Sequence, residues 1–311
     1  MIYEYALAPE LLEEISKSSE AFESFLEQYG IGTPRFISSF PRSSKKDYIE
    51  YLKGFPFDVS GLGETRITEA IKHIKSSCIE RNVEVTINEL MIKDDWKKFV
   101  CHVNQSKPFQ GILTPCAINS QNNIIYEERR RSELWKVPEQ IRISRTEADF
   151  LEHLKFFIRN SSEKIIIIDP YSYKEKGVKF IIKLLNLLST KNINKKLPKI
   201  RIIYRFQDAE DYYKPSNILN KIISGLNVDL KKINIELFQI SPKENSDAFH
   251  NRYVLSELGG IHLGHGIDLS NKPNQKDHLS IIKDDIYMEM CCMYEEELEE
   301  NFQIVEKESI N

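Results

Sequence analysis

The chain has few of the residues that announce a special architecture. Its five cysteines, at 78, 101, 116, 291 and 292, are odd in number and show no C-x-x-C spacing. That pattern excludes a disulfide framework and a cysteine-rich zinc site as the basis of the fold, and it points to a reducing, cytoplasmic compartment. Long apolar runs are missing as well. The most apolar stretches, residues 165–168 and 180–188, fall far short of the roughly 20 residues that a helix needs to cross a bilayer, so no membrane span is expected. The N-terminus, M-I-Y-E-Y-A-L-A-P-E, carries acids where a secretory signal would carry lysines, so no export is expected either. Global basicity is also absent. With a net charge of -4, any contact with nucleic acid has to come from a local cluster.

What remains is ordinary globular material. The 311 residues suffice for one large domain or two ordinary ones, and 41% hydrophobic against 29% charged residues leaves enough apolar surface for a core. Residues 9–29 carry apolar positions at spacings of three and four, from Leu11 and Leu12 to Leu26 and Tyr29, which predicts a helix ended by Gly30 and Gly32. A second amphipathic stripe, Ile67, Ala70, Ile71, Ile74 and Cys78, predicts a helix over 64–81. Residues 83–92 favour a strand slightly over a helix. Asp94 and Asp95 before Trp96 mark a helix start, and residues 109–117 read as an edge strand because Pro108 and Pro115 flank them. Residues 127–138 read as a connector, in which Arg129, Arg130 and Arg131 form the most basic local cluster.

The grammar changes near residue 144. A helix over 146–159 opens with a capping-type start, and the run K-I-I-I-I-D at 164–169 is the kind of β-branched strand that is buried on both faces. Helix, strand, helix and strand follow over 178–188, 199–206, 215–226 and 233–240. The expectation is α/β, with a mixed, largely parallel sheet flanked by helices over 144–311. A mainly helical α+β domain over 1–143 precedes it.

The stretch 250–268, H-N-R-Y-V-L-S-E-L-G-G-I-H-L-G-H-G-I-D, alternates apolar residues on either side of Gly259 and Gly260, which predicts two short strands joined by a tight turn. Strand alternation puts His250 and Arg252 on one face. An imidazole nucleophile beside a fixed cation suits a phosphate ester. Two other H-x-K pairs, at 73–75 and 153–155, lie in helical patterns, where positions two apart are about 200° apart around the axis and cannot serve one phosphate. His262, His265 and Asp268 fall at three-residue steps, but no fourth ligand accompanies them and no metal or cofactor is expected. Asp277 and His278 read as loop residues.

His250, Arg252, Glu257, Gly264, His265 and Asp268 together resemble the H-x-K-x4-D-x6-G-S-x2-N signature of the phospholipase D superfamily, spacing included. Arginine stands for lysine, glutamate for aspartate, histidine for serine and aspartate for asparagine. The resemblance covers roughly residues 145–300, one copy of the repeat. It implies a metal-independent phosphodiesterase of phospholipids or nucleic acids working through a phosphohistidine; with no membrane segment or lipid-binding helix in the pattern, a nuclease is expected rather than a lipase. In that reading His250, Arg252 and Glu257 are catalytic, while Gly264, His265 and Asp268 line the substrate site. Because one chain carries one half-site, the resemblance also implies a homodimer with the site at the twofold axis. Arg129, Arg130, Arg131, Arg201, Arg205, Lys231 and Lys232 are the candidate nucleic-acid contacts. The N-terminal domain is expected to choose the target or to bind a protein partner. The whole layout is similar to a group of bacterial proteins for which anti-phage defence is one implied setting. The substitutions at 265 and 268 favour an alternative: a degenerate module that binds nucleic acid or a partner without cleaving it.

Overall fold

The structure, a computed structural model, describes residues 1–81, 93–190, 197–206, 213–227, 229–243, 249–267, 269–270, 272 and 274–310. The expected strand over 83–92 and the candidate site residue Asp268 lie outside the described residues. The chain divides into two compact units, residues 2–138 and residues 139–311, with Met1 grouped with the second. The division falls before residue 140 rather than at 143/144, because residues 140–144 form a strand of the second unit.

The first unit is a wound parallel sheet with helices between its strands, α/β rather than α+β, and most of its regular residues are helical as expected. Its elements run β1 (Tyr3–Leu7), α1 (Leu11–Ser16), α2 (Ser19–Gln28), β2 (Arg35–Ser38), α3 (Lys45–Lys53), α4 (Leu62–Ser77), β3 (Cys78–Ile79), α5 (Lys93–Ser106), β4 (Gly111–Thr114) and β5 (Asn123–Ile125). The strands lie in the order β3-β2-β1-β4-β5, and every pairing is parallel. β1 is central, and Tyr5, Ala6 and Leu7 are fully buried. The expected single helix over 9–29 is broken in two because the Ser18 hydroxyl accepts the Ala21 N–H and caps α2. The helix expected to reach residue 81 stops at Ser77, where the chain turns extended and becomes β3. β4 is an interior strand rather than an edge, since its flanking prolines sit outside the paired residues.

The second unit holds β6 (Gln140–Ser144), α6 (Glu147–Asn160), β7 (Lys164–Ile168), α7 (Glu175–Asn186), β8 (Lys199–Arg205), α8 (Pro215–Gly225), β9 (Asn234–Pro242), β10 (Tyr253–Ser256), β11 (Gly259–Leu263), β12 (Lys276–Ile281), α9 (Asp284–Cys291), α10 (Leu298–Asn301) and β13 (Phe302–Ile310). The eight strands lie in the order β13-β9-β8-β7-β10-β11-β12-β6. Only β7, β8 and β9 pair in parallel; the other five pairings are antiparallel, so the sheet is mixed but not largely parallel. All four isoleucines of β7 are buried, at roughly 1.5–3 kcal/mol of burial each. The final helix expected over 285–299 is interrupted by a π-turn at Cys292–Glu296, and β13 follows it along one sheet edge.

One buried ion pair ties the first unit's strands together. The Arg81 guanidinium, fully buried, donates to Glu4 Oε2 at 2.6 Å and to the Lys107 carbonyl, and it stacks 3.7 Å from the Phe109 ring centroid. The Ser38 hydroxyl donates to the other Glu4 oxygen at 2.6 Å. Removing one member strands a desolvated charge. Arg81→Ala should therefore lower unfolding stability by about 3–5 kcal/mol, read as a fall in the denaturant midpoint. A loss below about 1 kcal/mol, the range of exposed pairs, would mean that the pair is not shielded from solvent.

Candidate functional site

The β10–β11 hairpin gathers the site. The turn is Glu257–Leu258 rather than the glycine pair; Gly259 takes φ 114° and opens β11. The two strands pair with Tyr253 opposite His262, and beyond the ladder the Leu263 N–H still donates to the Arg252 carbonyl at 2.9 Å. Residues 250–252 precede this ladder and residues 264–267 turn away after it, so His250 and His265 lie just beyond its same end. β10 is also antiparallel to β7, with Tyr253 opposite Ile168. The start of β10, the end of β11 and the carboxyl end of β7 therefore meet at one edge of the sheet.

Asp169, which follows β7, holds that edge together. Its side chain is buried; Oδ1 accepts the Tyr171 N–H and Oδ2 accepts the Ile267 N–H, both at 2.7 Å. Gly266, at φ 72°, sits where a Cβ would overlap both Asp169 Oδ2 and Arg252 Cδ. Only glycine fits there. Arg252 lies 5.8 Å from the Tyr171 ring centroid and, among the described residues, makes a single long bond, 3.4 Å, to the Gly264 carbonyl. Among the same residues its buried Nε has no partner and its terminal nitrogens make no other bond, which leaves donors of the fork for an anion. His250 is exposed and makes no hydrogen bond among the described residues. Asn251, between them, points the other way and donates to the Tyr294 hydroxyl at 2.8 Å.

A second imidazole stands on the same edge. His265 Nδ1 lies 3.0 Å from Asp277 Oδ1, and the His265 backbone N–H donates to the same carboxylate at 3.1 Å. The Asp277 side chain is fully buried, whereas His265 is 60% exposed. With Nδ1 turned to the carboxylate, the opposite ring nitrogen Nε2 is the one placed to exchange a proton. Asp277 and His278 are therefore strand residues of β12 and not a loop. Gly264 makes room for the arrangement, because a Cβ there would press on Asp277 Oδ1.

The other expected residues separate from this group. Glu257 is at the far end of β10, more than about 15 Å of extended strand from Arg252. Its Oε1 accepts the Ser162 N–H at 2.5 Å and the Ser162 hydroxyl at 3.0 Å, tying the hairpin turn to the entry of β7. It cannot orient the His250 imidazole. Arg129 is buried and spent on the Tyr126 carbonyl, Gln28 and the Tyr126 ring, so the run 129–131 is not one phosphate-facing cluster; Arg130 and Arg131 are exposed on the 3-10 turn Tyr126–Arg131. Arg201 is committed to Glu236 and to the Tyr294 and Glu295 carbonyls. Lys231 and Lys232 precede β9, at the opposite edge from Asp169. Arg205 does belong with the site edge. It ends β8, and its N–H donates to the Pro170 carbonyl at 3.2 Å. Asp169 and Asp277 are the residues that sequence reasoning left without a role. No group of three His, Cys, Asp or Glu side chains poised for a metal ion occurs among the described residues, and no helix among them is long and apolar enough to cross a membrane.

No family model matches the chain, and no curated protein matches it. Among solved structures it is similar to the archaeal chromatin protein TrmBL2, whose report describes a novel mode of DNA binding. The identity is 12% over 83% of this chain and 82% of that one, with a TM-score of 0.31, a likeness too slight to carry fold or role across.

Burial holds the His262 imidazole, next to this edge, below the ordinary histidine range; the Arg252 charge pushes the same way and Asp277 opposes. Burial lowers His73 and His153 too. A depressed folded pKa means that the unfolded chain takes up the proton first as pH falls. Stability is then intact above the unfolded value near pH 6.5 and declines below it. Urea unfolding should show a lower midpoint at about pH 5.5 than at about pH 7.5, and His262→Gln should shrink that difference. A difference that is unaltered in the variant would assign the pH response elsewhere.

Proposed function

We propose that residues 139–311 are a phosphodiesterase of the phospholipase D superfamily, cleaving nucleic acid without a metal through a phosphohistidine. The observation that supports this best is the meeting, at one sheet edge, of an exposed imidazole, a guanidinium with donors to spare and a second imidazole backed by a buried carboxylate. His250 attacks phosphorus, forming a P–N bond as the P–O bond to the leaving nucleoside breaks. Arg252 holds the non-bridging oxygens as a fork, where lysine would act as a point charge. A protonated imidazole gives its proton to the leaving oxygen, then takes one from water, whose oxygen displaces His250 and restores it. Within one chain that imidazole is His265, oriented by Asp277. In a homodimer it is the partner's copy of His250 across the twofold axis. Residues 2–138 select the target or engage a protein partner, and anti-phage defence is the setting that the resemblance implies.

The second reading is a binding module. His265 stands where the signature has serine, and Glu257 is committed far from the imidazole, both of which favour an anion site that has lost its chemistry.

Plasmid, single-stranded DNA and RNA incubated with purified protein in EDTA separate the two. Cleavage should fall by at least about 10³-fold in His250→Ala, and by about 10²–10⁴-fold in His265→Ala if that residue is the acid. If the partner's imidazole serves instead, mixing wild type with His250→Ala should depress activity more than dilution does. Equal activity in His250→Ala sinks the enzyme reading, and retained binding without cleavage in the wild type supports the module.

A further inference from the structure

The site edge carries an aromatic ring that the cleavage steps do not use. Tyr171 lies just beyond Asp169, in the connection from β7 to α7. Its backbone is held at both ends: the N–H donates to Asp169 Oδ1 at 2.7 Å, and the carbonyl accepts the Lys174 N–H at 3.1 Å. The other oxygen of the same carboxylate accepts the Ile267 N–H, so Tyr171 and the turn after β11 share one buried anchor. That anchor delivers the ring to the place where Arg252 stands, 5.8 Å from its centroid.

The fold does not consume this ring. Tyr171 is half-buried, and its hydroxyl makes no hydrogen bond among the described residues. Tyr173 does the packing instead: it is buried, with the Tyr204 and Tyr213 ring centroids 6.0 and 4.8 Å away. Cations surround Tyr171. Lys174 Nζ lies 4.8 Å from the ring centroid, and Arg205, whose N–H donates to the Pro170 carbonyl, ends the neighbouring strand β8. Neither Lys174, Arg205 nor Arg252 has a carboxylate partner among the described residues. Lys174 is exposed, and its flexible stem lets the ammonium leave the ring for a phosphate when a base arrives.

An accessible ring among uncommitted cations is the arrangement that holds a single strand, with a base on the ring and phosphates on the charges. A base inside a duplex is already stacked on its neighbours, and freeing it costs unstacking energy. We propose that Tyr171 is a stacking platform for one unpaired base beside the phosphate held by Arg252, which makes single-stranded nucleic acid the ligand class of this site. Lys174 and Arg205 take the flanking phosphates. The inference rests on the phosphodiesterase reading or its binding-module alternative, since both place a phosphate at Arg252.

The test is binding by fluorescence anisotropy, at one fixed salt concentration, to the full chain carrying His250→Ala, so that no probe is cut. The probes are single-stranded DNA and RNA, the duplex of the same DNA, and the DNA strand with abasic sites throughout. The better-bound single strand should bind at least about fivefold tighter than either the duplex or the abasic strand. Adding Tyr171→Leu should weaken single-strand binding about 5- to 100-fold, the worth of one stacked base, and leave abasic binding unchanged. Adding Tyr171→Phe, which keeps the ring, should change neither. Duplex bound as tightly as single strand, an equal loss on the abasic strand in Tyr171→Leu, or no effect of Tyr171→Leu would overturn the platform while leaving a phosphate site at Arg252 standing. No binding of any probe by the variant or the wild type would sink both readings of the site, and the platform with them.

Discussion

The carboxylate of Asp169 is the contact on which the second unit's site depends. It sits where β7 ends, and it receives one N–H from its own strand's exit and one from the turn after β11. Those two bonds fix the distance between strands that would otherwise end independently. They also leave no room for a side chain at residue 266, so the chain there can only be glycine. Arg252 packs against the same point. A buried carboxylate that accepts backbone N–H groups is rigid and electrostatically strong, because each donor is charge-assisted and shielded from water. The candidate anion pocket is built on that contact.

Asp277 repeats the device one strand further out. It too is buried and accepts backbone N–H groups, from His265 and His278, and it also engages the His265 ring. The result is an exposed imidazole with a fixed orientation, backed by a carboxylate that solvent does not reach. Glu257 shows the same chemistry put to another use. Its oxygens take the Ser162 N–H and hydroxyl at the far end of the hairpin, where they hold the turn against β7. Three carboxylates thus pin the hairpin at both ends, and only the end with Asp169 and Asp277 presents groups suited to phosphate chemistry. The first unit follows a similar rule, with Glu4 and Arg81 pairing inside the parallel sheet.

Much of the second unit was legible from local pattern. The strand β7 is a continuous β-branched run, β8 and β9 are isoleucine-containing apolar runs bounded by Pro, Lys or Asn, and the helices between them carry apolar stripes, so each is specified by its own few residues. β1 was not legible: Y-E-Y-A-L is short, half polar, and adjoins a strong helical stripe. β6, β12 and β13 were hidden for a related reason. Each alternates polar with apolar residues at or near a sheet edge, as Gln140, Arg142, Asp277 and His278 do, and such alternation without a bounded turn reads as loop. Pro108 and Pro115 suggested an edge for β4, but they flank four paired residues and remove no hydrogen bond from the ladder.

The sequence by itself determined the helices of the second unit up to residue 226, its three parallel strands, and the hairpin. These follow from side-chain periodicity, which acts over a few residues. Only the tertiary structure decided which carboxylates serve which groups. Ile267 reaches Asp169 across 98 residues, Ser162 reaches Glu257 across 95, and His265 reaches Asp277 across 12 from a neighbouring strand. Those partners are chosen by strand order and register. Register is set by the pairing of whole strands through the buried core, and no spacing within a motif encodes it.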